Sequence, residues 1–305
     1  MTELSIVIPL FNEGTLVEEL IKRVKFNSNA ITQEFEIILI DDGSTDSTWE
    51  KIENGAKQDG RVKGIKFSRN FGHHYALTAG LHHAVGEWVV VMDGDLQDRP
   101  EVIPELYTKV NEGFDIVFVS RRNRPERIYY RIIQKIFYWI LRRLSGINFD
   151  SSQANFSILN RKVVEAFKNF PENARFYAST IKWLGYRRTE IFADHGQRFS
   201  GKPSYTLRKR IKLATDIILS FSERPLKFSI GMGLLMSLLS LSITFWVIYN
   251  YFFLDYLVST WMAVATAIFL STGIILIVIG ISGIYIGEIF RQVKNRPLYV
   301  IDKIL

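Results

Sequence analysis

The sequence predicts an α/β domain with a mainly parallel sheet, followed by two membrane-spanning helices. Short apolar runs rich in β-branched residues recur at 4–9, 36–42, 87–92 and 114–120, and a helix-like stretch from Thr15 to Phe26 separates the first two. A strand–helix–strand unit with near-continuous apolar strands is typical of a parallel sheet buried on both faces. The spanning helices are predicted from uncharged runs nearer the C-terminus.

These uncharged runs are each long enough to cross a bilayer. No charged residue occurs from Phe228 to Leu254, and after Asp255 the chain is uncharged again from Tyr256 to Gly287. Each run exceeds the roughly 20 apolar residues that a spanning helix needs. We therefore expect two transmembrane helices at about 228–252 and 261–286, which together form a hairpin.

Basic residues flank this hairpin only at its outer ends. They are Arg224 and Lys227 before it and Arg291, Lys294 and Arg296 after it. The positive-inside tendency then places the N-terminal domain and both termini in the cytoplasm. The first ten residues lack the basic region and cleavage site of a signal peptide, which agrees with this orientation.

Two further segments are predicted to lie at the membrane surface. Basic residues keep a helical spacing among apolar ones in an interfacial helix at about 126–145, although an ordinary packed helix is the alternative. An amphipathic juxtamembrane helix is predicted at 206–226. The expected organisation is a cytoplasmic α/β domain at 1–205, the juxtamembrane helix, the hairpin within 227–288, and a cytoplasmic tail at 289–305.

Composition restricts the partners. The chain has 38 Lys and Arg against 31 Asp and Glu, a net charge of +7. Much of the excess lies at 121–143 and 198–212, near the membrane segments or among aromatic residues, so we expect anionic lipid and phosphate as partners and no nucleic acid. The absence of Cys excludes disulfides, thiol catalysis and Cys-based metal sites. The sequence leaves the oligomeric state open, and a homo-oligomer is one of the alternatives.

Polar side chains follow each predicted strand. They are Asn12 and Glu13, Asp41 and Asp42, Asp93 and Asp95, and Arg121. Ligands of open α/β sheets bind beyond the carboxyl ends of the strands, so these side chains should gather at one edge. The Asp-Gly-Asp turn after a buried strand suits Mg²⁺ or Mn²⁺, hard ions that bind one or two carboxylates together with substrate phosphates.

Several motifs, taken together, resemble those of family 2 glycosyltransferases. The resemblance rests on SIVIPLFNE from Ser5, DDGSTDST from Asp41, RNFGHH from Arg69, ALTAG from Ala76, MDGDLQDRP from Met92 and RFSGKPSY from Arg198. Within that family the chain resembles the polyisoprenyl-phosphate glycosyltransferases, which include dolichyl-phosphate mannose synthases. The two-helix hairpin favours the bacterial, GtrB-like branch. The resemblance implies a Rossmann-like GT-A catalytic domain in a bacterial inner or plasma membrane.

The resemblance also implies roles for individual residues. Donor-binding positions would be Pro9, Asn12, Glu13, Asp41, Asp42, Arg69, Asn70, Asp93 and Gly94. Asp93, Asp95 and Gln97 would hold the metal, with the two aspartates also counted as catalytic. Arg121, Arg131, Gln134 and Arg198 would bind the acceptor phosphate, although Gln134 stands where relatives often carry Ser.

Asn155 is a second departure from the family pattern, since an Asp often stands at this position. We count both Asn155 and the nearby Asp150 among the catalytic candidates. Asn155 would orient the acceptor by hydrogen bonding, and Asp150 is expected to orient an arginine or the loop rather than to act as a base. His73 and His74 could contact the donor phosphates or serve a structural or solvent-facing role, and His195 could approach the diphosphate.

The expected activity is inverting transfer of a hexose from a nucleotide sugar to polyisoprenyl phosphate at the cytoplasmic face. By analogy with the family, glucose, UDP-glucose and undecaprenyl phosphate are the expected sugar, donor and acceptor. The alternative is a non-catalytic membrane scaffold or lipid-binding protein with a glycosyltransferase-like shell. A dinucleotide-dependent dehydrogenase is excluded, because Pro9-Leu-Phe-Asn-Glu replaces the glycine-rich turn.

Overall fold

The computed structural model describes residues 2–121, 153–170, 177–193, 260–294 and 296–305, with single positions between 231 and 249. Two compact units make up the chain. The first contains Met1–Lys135, Phe149–Ser204 and Pro297–Leu305, and the second contains Ile136–Asn148 and Tyr205–Arg296. The predicted surface helices at about 126–145 and 206–226 lie outside the described residues.

The first unit contains a mixed sheet with helices along the chain between its strands. Its strands are β1 (Leu4–Leu10), β2 (Phe35–Asp41), β3 (Val62–Phe67), β4 (Trp88–Val91), β5 (Ile116–Arg121), β6 (Gln153–Asn160), β7 (Arg188–Ala193) and β8 (Ile301–Ile304). Its helices are α1 (Val17–Asn29), α2 (Thr48–Gln58), α3 (His73–His83), α4 (Ile103–Val110), α5 (Arg161–Lys168) and α6 (Tyr177–Trp183), with a 3₁₀ turn at Pro100–Val102.

The strand order is β7-β5-β6-β4-β1-β2-β3-β8. Parallel pairs join β1 to β2 and β4, β2 to β3, and β5 to β7, whereas β6 and β8 run antiparallel to their neighbours. The predicted α/β fold with a mainly parallel sheet is therefore confirmed.

The central strands are buried on both faces because each face carries its own apolar layer. Ile6 and Ile8 of β1 pack in one cluster with residues of α1, α2 and α4. Val7, between them, points to the opposite cluster, which includes residues of α3, α5 and α6. Side chains alternate across a strand, so a run that is apolar at every position fits a sheet covered on both sides.

The second unit contains α7, which runs from Thr260 to Val293. Searched over the part of the chain that the structure describes, no helix combines the length and the apolar character needed to cross a membrane. Most of the first predicted span, at about 228–252, lies outside the described residues, and the second, at about 261–286, falls within α7.

Close packing of α3 on the sheet generates a stability prediction. A Cβ at Gly80 would lie 2.3 Å from Val7 Cγ1 and 2.7 Å from Ile40 Cδ1. We expect Gly80→Val to lower the free energy of unfolding by about 1 to 3 kcal/mol, since the core must move to admit the side chain. Urea unfolding curves of the two proteins measure the difference.

Gly60 provides the matched control. A Cβ there meets nothing within 4 Å among the described residues, and Gly60 is exposed. Gly60→Val should change the free energy of unfolding by less than about 0.5 kcal/mol. Adding Val7→Ala to Gly80→Val should recover part of the loss. Equal losses at positions 60 and 80 would contradict the close packing.

Candidate active site

The strand order reverses at β1, which has β2 on one side and β4 on the other. At such a switch point the loops after the strands diverge, and a crevice opens beyond their carboxyl ends. Gly94, just after β4, marks a close approach across this point. A Cβ there would lie 2.3 Å from Leu10 Cδ2 and 3.1 Å from the carbonyl oxygen of Pro9. Pro9 and Gly94 therefore lie close together where the ends of β1 and β4 approach each other.

The loop after β1 is tied to the loop after β2. Asn12 has a φ of 56°, in the left-handed region that Asn tolerates better than most residues. Its backbone N–H donates to Ser44 Oγ at 2.9 Å, and its Oδ1 accepts from the Thr45 N–H at 2.9 Å. The Glu13 N–H donates to Thr48 Oγ1 at 3.0 Å. Asn12 and Glu13 thus help to build the wall of the crevice.

The two aspartates at the end of β2 have different surroundings, although both are buried. Asp42 accepts the N–H of Phe71 at 2.8 Å on Oδ1 and that of Gly72 at 2.9 Å on Oδ2. Burial raises the pKa of the Asp42 carboxyl, and these two amides oppose the rise. Both oxygens of Asp42 therefore hold the loop that follows β3.

One carboxylate oxygen of Asp41 accepts no hydrogen bond from the described residues. Its Oδ1 takes the Ser44 N–H at 2.9 Å, whereas its Oδ2 is buried with no hydrogen-bond partner among the described residues. A buried carboxylate oxygen without a donor is unfavourable, so it is a natural contact point for a ligand hydroxyl or N–H. Of the pair, Asp41 is thus better prepared to contact a nucleotide directly.

The Asp-Gly-Asp turn after β4 contains a second carboxylate oxygen that has no hydrogen-bond partner among the described residues. Asp93 Oδ1 is buried without a hydrogen bond to any described residue, and it lies 3.4 Å from His73 Nε2. The Asp93 N–H donates to Asp98 Oδ2 at 3.1 Å, and Asp95 Oδ1 accepts the Gln97 N–H at 3.0 Å. Hydrogen bonds from backbone amides to side-chain carboxylates therefore hold the turn in shape.

Leu96, inside this turn, has a φ of 59°. A branched apolar residue rarely adopts that conformation, and such strain is found mostly where a structure is constrained for function. Leu96 is buried in the core cluster that also contains Leu10 and Met92. Its burial holds the turn against the strand end, which keeps Asp93 and Asp95 at the crevice.

His73 joins the turn to β6. Its Nε2 lies 3.1 Å from the Asn155 side-chain amide, and the same atom faces Asp93. Because Asn155 Nδ2 is a donor, His73 Nε2 accepts its hydrogen, and the ring therefore has no hydrogen on Nε2 to donate to Asp93 Oδ1. Burial lowers the pKa of the adjacent His74 to about 3, so that ring is neutral at physiological pH.

The loop after β3 carries the other predicted donor residues. Arg69 places its guanidinium 4.0 Å from the ring centre of Phe71 and donates to the carbonyl of Asn70 at 3.1 Å. A Cβ at Gly43, whose φ is 70°, would lie 2.3 Å from the Arg69 carbonyl carbon. Only glycine fits that position, so the loops after β2 and β3 pack backbone to backbone.

The structure thus brings the predicted donor and metal residues to one edge of the sheet. Arg121 is the last residue of β5, and the C-terminal end of that strand lies at the same edge of the sheet. The other predicted acceptor or catalytic residues, namely Arg131, Gln134, Asp150, Arg198 and His195, lie outside the described residues. Within those residues no group of three His, Asp or Glu side chains is arranged to hold a metal, so Asp93 and Asp95 stand as a pair of carboxylates.

Sequence reasoning missed the link from His73 to Asn155. The two residues are 82 positions apart, and only the antiparallel pairing of β4 with β6 brings them together. The available signal was that His73 directly follows the Arg-Asn-Phe-Gly segment. Sequence reasoning also did not anticipate that Asp42 would be engaged by backbone amides.

A mainly parallel sheet with an Asp-Gly-Asp turn at its switch point defines a class, the GT-A transferases. The family model described as glycosyl transferase family 2 matches residues 5–189. An uncharacterized glycosyltransferase of Bacillus subtilis, YkcC, is 35% identical over 300 residues, which cover 98% of this chain and 93% of that protein.

Two comparisons are more informative. The bactoprenol glucosyl transferase of Shigella phage SfII is 34% identical, with 99% of this chain and 98% of that protein covered. Glucosyl-3-phosphoglycerate synthase from Mycobacterium tuberculosis, solved with Mn²⁺, UDP and phosphoglyceric acid, shares the fold with a TM-score of 0.53 at 18% identity, over 72% of this chain and 76% of that one.

The chain therefore belongs to glycosyl transferase family 2 and is a glycosyltransferase. The predicted resemblance to the polyisoprenyl-phosphate group of that family is also confirmed.

Proposed function

We propose that this enzyme transfers a hexose from a nucleotide sugar to the phosphate of a polyisoprenyl lipid. The observation that carries the proposal is Asp93 Oδ1 at the switch point of the sheet, which is buried without a hydrogen bond to any described residue and lies 3.4 Å from His73 Nε2. The names of its relatives support the acceptor class. One is the phage bactoprenol glucosyl transferase, and another is the undecaprenyl-phosphate 4-deoxy-4-formamido-L-arabinose transferase of Yersinia enterocolitica, 29% identical over 306 residues.

The donor half of the site has the parts that a nucleotide sugar needs. Asp41 Oδ2 is free, within the described chain, to accept a hydrogen bond from a ribose or base. Arg69 and Asn70 lie on the neighbouring loop, which Asp42 fixes. Glucose as the sugar and UDP-glucose as the donor are our proposals, and the glucosyl transferase among the relatives supports the sugar.

The turn after β4 fits a divalent cation, Mg²⁺ or Mn²⁺. Asp93 and Asp95 are two carboxylates, which suffice for a hard ion that also binds substrate phosphates. The buried Asp93 oxygen without a donor is better matched to a cation than to solvent. Gln97 belongs to the same turn. When bound, the ion would neutralise charge on the leaving nucleoside diphosphate.

The acceptor needs cationic side chains and no general base. Arg121, Arg131 and Arg198, with Gln134, are the proposed phosphate contacts, since guanidinium groups grip phosphate bidentately and stay charged. A phosphate monoester has a second pKa of about 6, so its attacking oxygen is already largely unprotonated at neutral pH. That oxygen would attack the anomeric carbon opposite the leaving diphosphate and invert the configuration.

We place the enzyme in a bacterial inner or plasma membrane, with the first unit on the cytoplasmic side. The chain is uncharged from Tyr256 to Gly287, and this stretch covers most of α7. Large apolar side chains along α7 are exposed, among them Trp261, Ile268, Ile275, Ile279 and Ile286. So many exposed apolar side chains favour an apolar environment around α7.

A direct assay tests the proposed function. Membranes that contain the enzyme are incubated with undecaprenyl phosphate and labelled UDP-glucose, UDP-galactose or GDP-mannose, and organic-extractable label is counted. Label should appear in the lipid fraction with at least one donor and depend on added lipid phosphate. Donor binding without any lipid-linked product would favour the scaffold alternative.

Asp95→Asn should reduce transfer about 100-fold or more while the protein still folds and inserts. An amide is a poorer ligand for a hard cation, and each 1.36 kcal/mol lost in the transition state costs about tenfold in rate. Initial rates at saturating donor measure the effect. Excess EDTA should reproduce it in the unmodified enzyme, and full turnover in EDTA would refute the metal proposal.

Neither Asn155→Asp nor Asp150→Asn should abolish transfer, because no enzyme base is required. Asn155 Nδ2 donates to His73 Nε2, and a carboxylate at position 155 would instead accept from the ring once Nε2 carries the hydrogen. In the profile of kcat against pH, neither substitution should remove an ionisation that the unmodified enzyme shows. If Asp150→Asn stopped turnover with normal donor and lipid binding, and such an ionisation vanished with it, a base-free mechanism would be wrong.

The proposed topology predicts that Asp255 faces the opposite side of the membrane from Ser204. Because the chain has no Cys, Asp255→Cys and Ser204→Cys each introduce a unique label site. An impermeant thiol reagent added to sealed inside-out vesicles should label position 204 and spare position 255. Labelling of both positions from one side would contradict the hairpin.

A further inference from the structure

The last nine residues, 297–305, form a C-terminal segment that belongs to the first unit rather than to the helix before it. Strand β8 of this segment pairs antiparallel with β3. The Leu305 N–H donates to the Gly64 carbonyl at 2.9 Å, and the Ser68 N–H donates to the Val300 carbonyl at 3.0 Å. The C-terminal segment therefore follows β3 from Gly64 to Phe67 and reaches one residue into the loop beyond it, at Ser68.

Residues 68–72 are that loop, here called the donor loop. It connects β3 to α3 at the carboxyl end of the sheet, carries Arg69 and Asn70, and directly precedes His73. On its inner side the Phe71 and Gly72 amides bind Asp42. On its outer side Ser68 binds the C-terminal segment. The donor loop is thus held between Asp42 and the end of the chain.

A row of aromatic rings makes the second connection. Tyr299 stacks on Phe67, with ring centres 5.0 Å apart and planes 14° apart. Phe67 is buried and meets Phe71 edge to face at 5.7 Å. The Arg69 guanidinium covers the Phe71 ring. Loss of the Tyr299 ring would therefore loosen Phe67, then Phe71, whose amide is one of the two that bind Asp42.

We propose that the C-terminal segment is a positioning element of the donor site. It holds the donor loop in the conformation that presents Arg69 and Asn70 beside the crevice and starts α3 with His73 next to Asp93. The proposal rests on the proposed function, since it assumes that the crevice takes a nucleotide sugar. Tyr299 is its principal side chain, and it acts through Phe67 and Phe71 without touching substrate.

The position of this segment in the chain adds a consequence. It begins four residues after α7 ends at Val293, so the helix proposed to anchor the enzyme is joined covalently to a support of the donor site. A chain that lost the segment would keep every residue of the crevice and lose the outer attachment of the donor loop. Donor binding should therefore depend on residues that lie at the far end of the sequence.

Isothermal titration of the full-length protein with UDP and with GDP, each with Mn²⁺, provides the test. We expect Tyr299→Ala to weaken binding of the preferred nucleotide roughly 3- to 10-fold, about the effect of losing one aromatic pair. Tyr299→Phe keeps the stacked ring and should bind within about twofold of the unmodified enzyme. In transfer assays, KM for the nucleotide sugar should rise with Tyr299→Ala while KM for undecaprenyl phosphate stays unchanged.

Lys303→Ala is the matched control within β8. It preserves the backbone pairing and removes an ion pair to Glu53 that is 3.9 Å long and partly exposed, and such a pair contributes little. Its nucleotide affinity should equal that of the unmodified enzyme. If Tyr299→Ala fails to fold, Tyr299→Leu replaces it, because Leu keeps apolar contact with Phe67 and removes the ring face.

Hydrogen exchange reports on the donor loop without a ligand. The Phe71 and Gly72 amides should exchange faster in Tyr299→Ala and remain protected in Tyr299→Phe and Lys303→Ala. Unchanged exchange and unchanged nucleotide affinity in Tyr299→Ala would overturn the positioning role. Failure of the unmodified enzyme to bind either nucleotide would instead count against the proposed function, since the exchange measurement does not depend on it.

Discussion

The candidate site depends on carboxylates kept at the end of strands that are otherwise mostly apolar. Asp41 and Asp42 are as buried as the core side chains that precede them. A buried carboxylate is tolerated only where donors or cations compensate for lost water. Backbone amides do so for Asp42, and the loop geometry after β2 and β3 follows from that requirement. Asp41 and Asp93 each keep an oxygen for which the described residues offer no donor. At these two points the hydrogen bonds of the described chain are incomplete, so a ligand could complete them.

This constraint explains why the glycines of the site lie where they do. Gly43 and Gly94 stand at positions where a side chain would collide with the neighbouring loop or strand end. Both allow backbone segments from separate strands to approach within van der Waals contact, which brings the carboxylates of two strands to one crevice. Sequence alone indicated the aspartates, but it could not show which neighbour made each glycine necessary.

Local sequence was sufficient for the elements whose signal is local. The runs in β1 and β2 are apolar at nearly every position, and their side-chain pattern permits little else. Strand β3 was missed because Lys63, Gly64 and Lys66 interrupt its apolar run, and its burial depends on β2 and β8. Strand β8 was missed because four residues with two charges carry no recognisable strand period. The contacts of Asp42 and Asn155 are tertiary, so no spacing in the sequence encodes them.

The short, charged sequence of β8 suits a strand at the edge of the sheet. An edge strand exposes unpaired backbone groups that invite pairing with another chain, and short, charged edge strands discourage it. Strand β8 has four residues, with exposed Asp302 and Lys303 at its centre. It covers β3, whose own edge would otherwise be open beside the donor loop. At the other edge of the sheet, β7 carries Arg188 and Glu190. The same short strand can therefore close the sheet against self-association and hold the donor loop, because pairing with β3 from Gly64 to Phe67 serves both tasks.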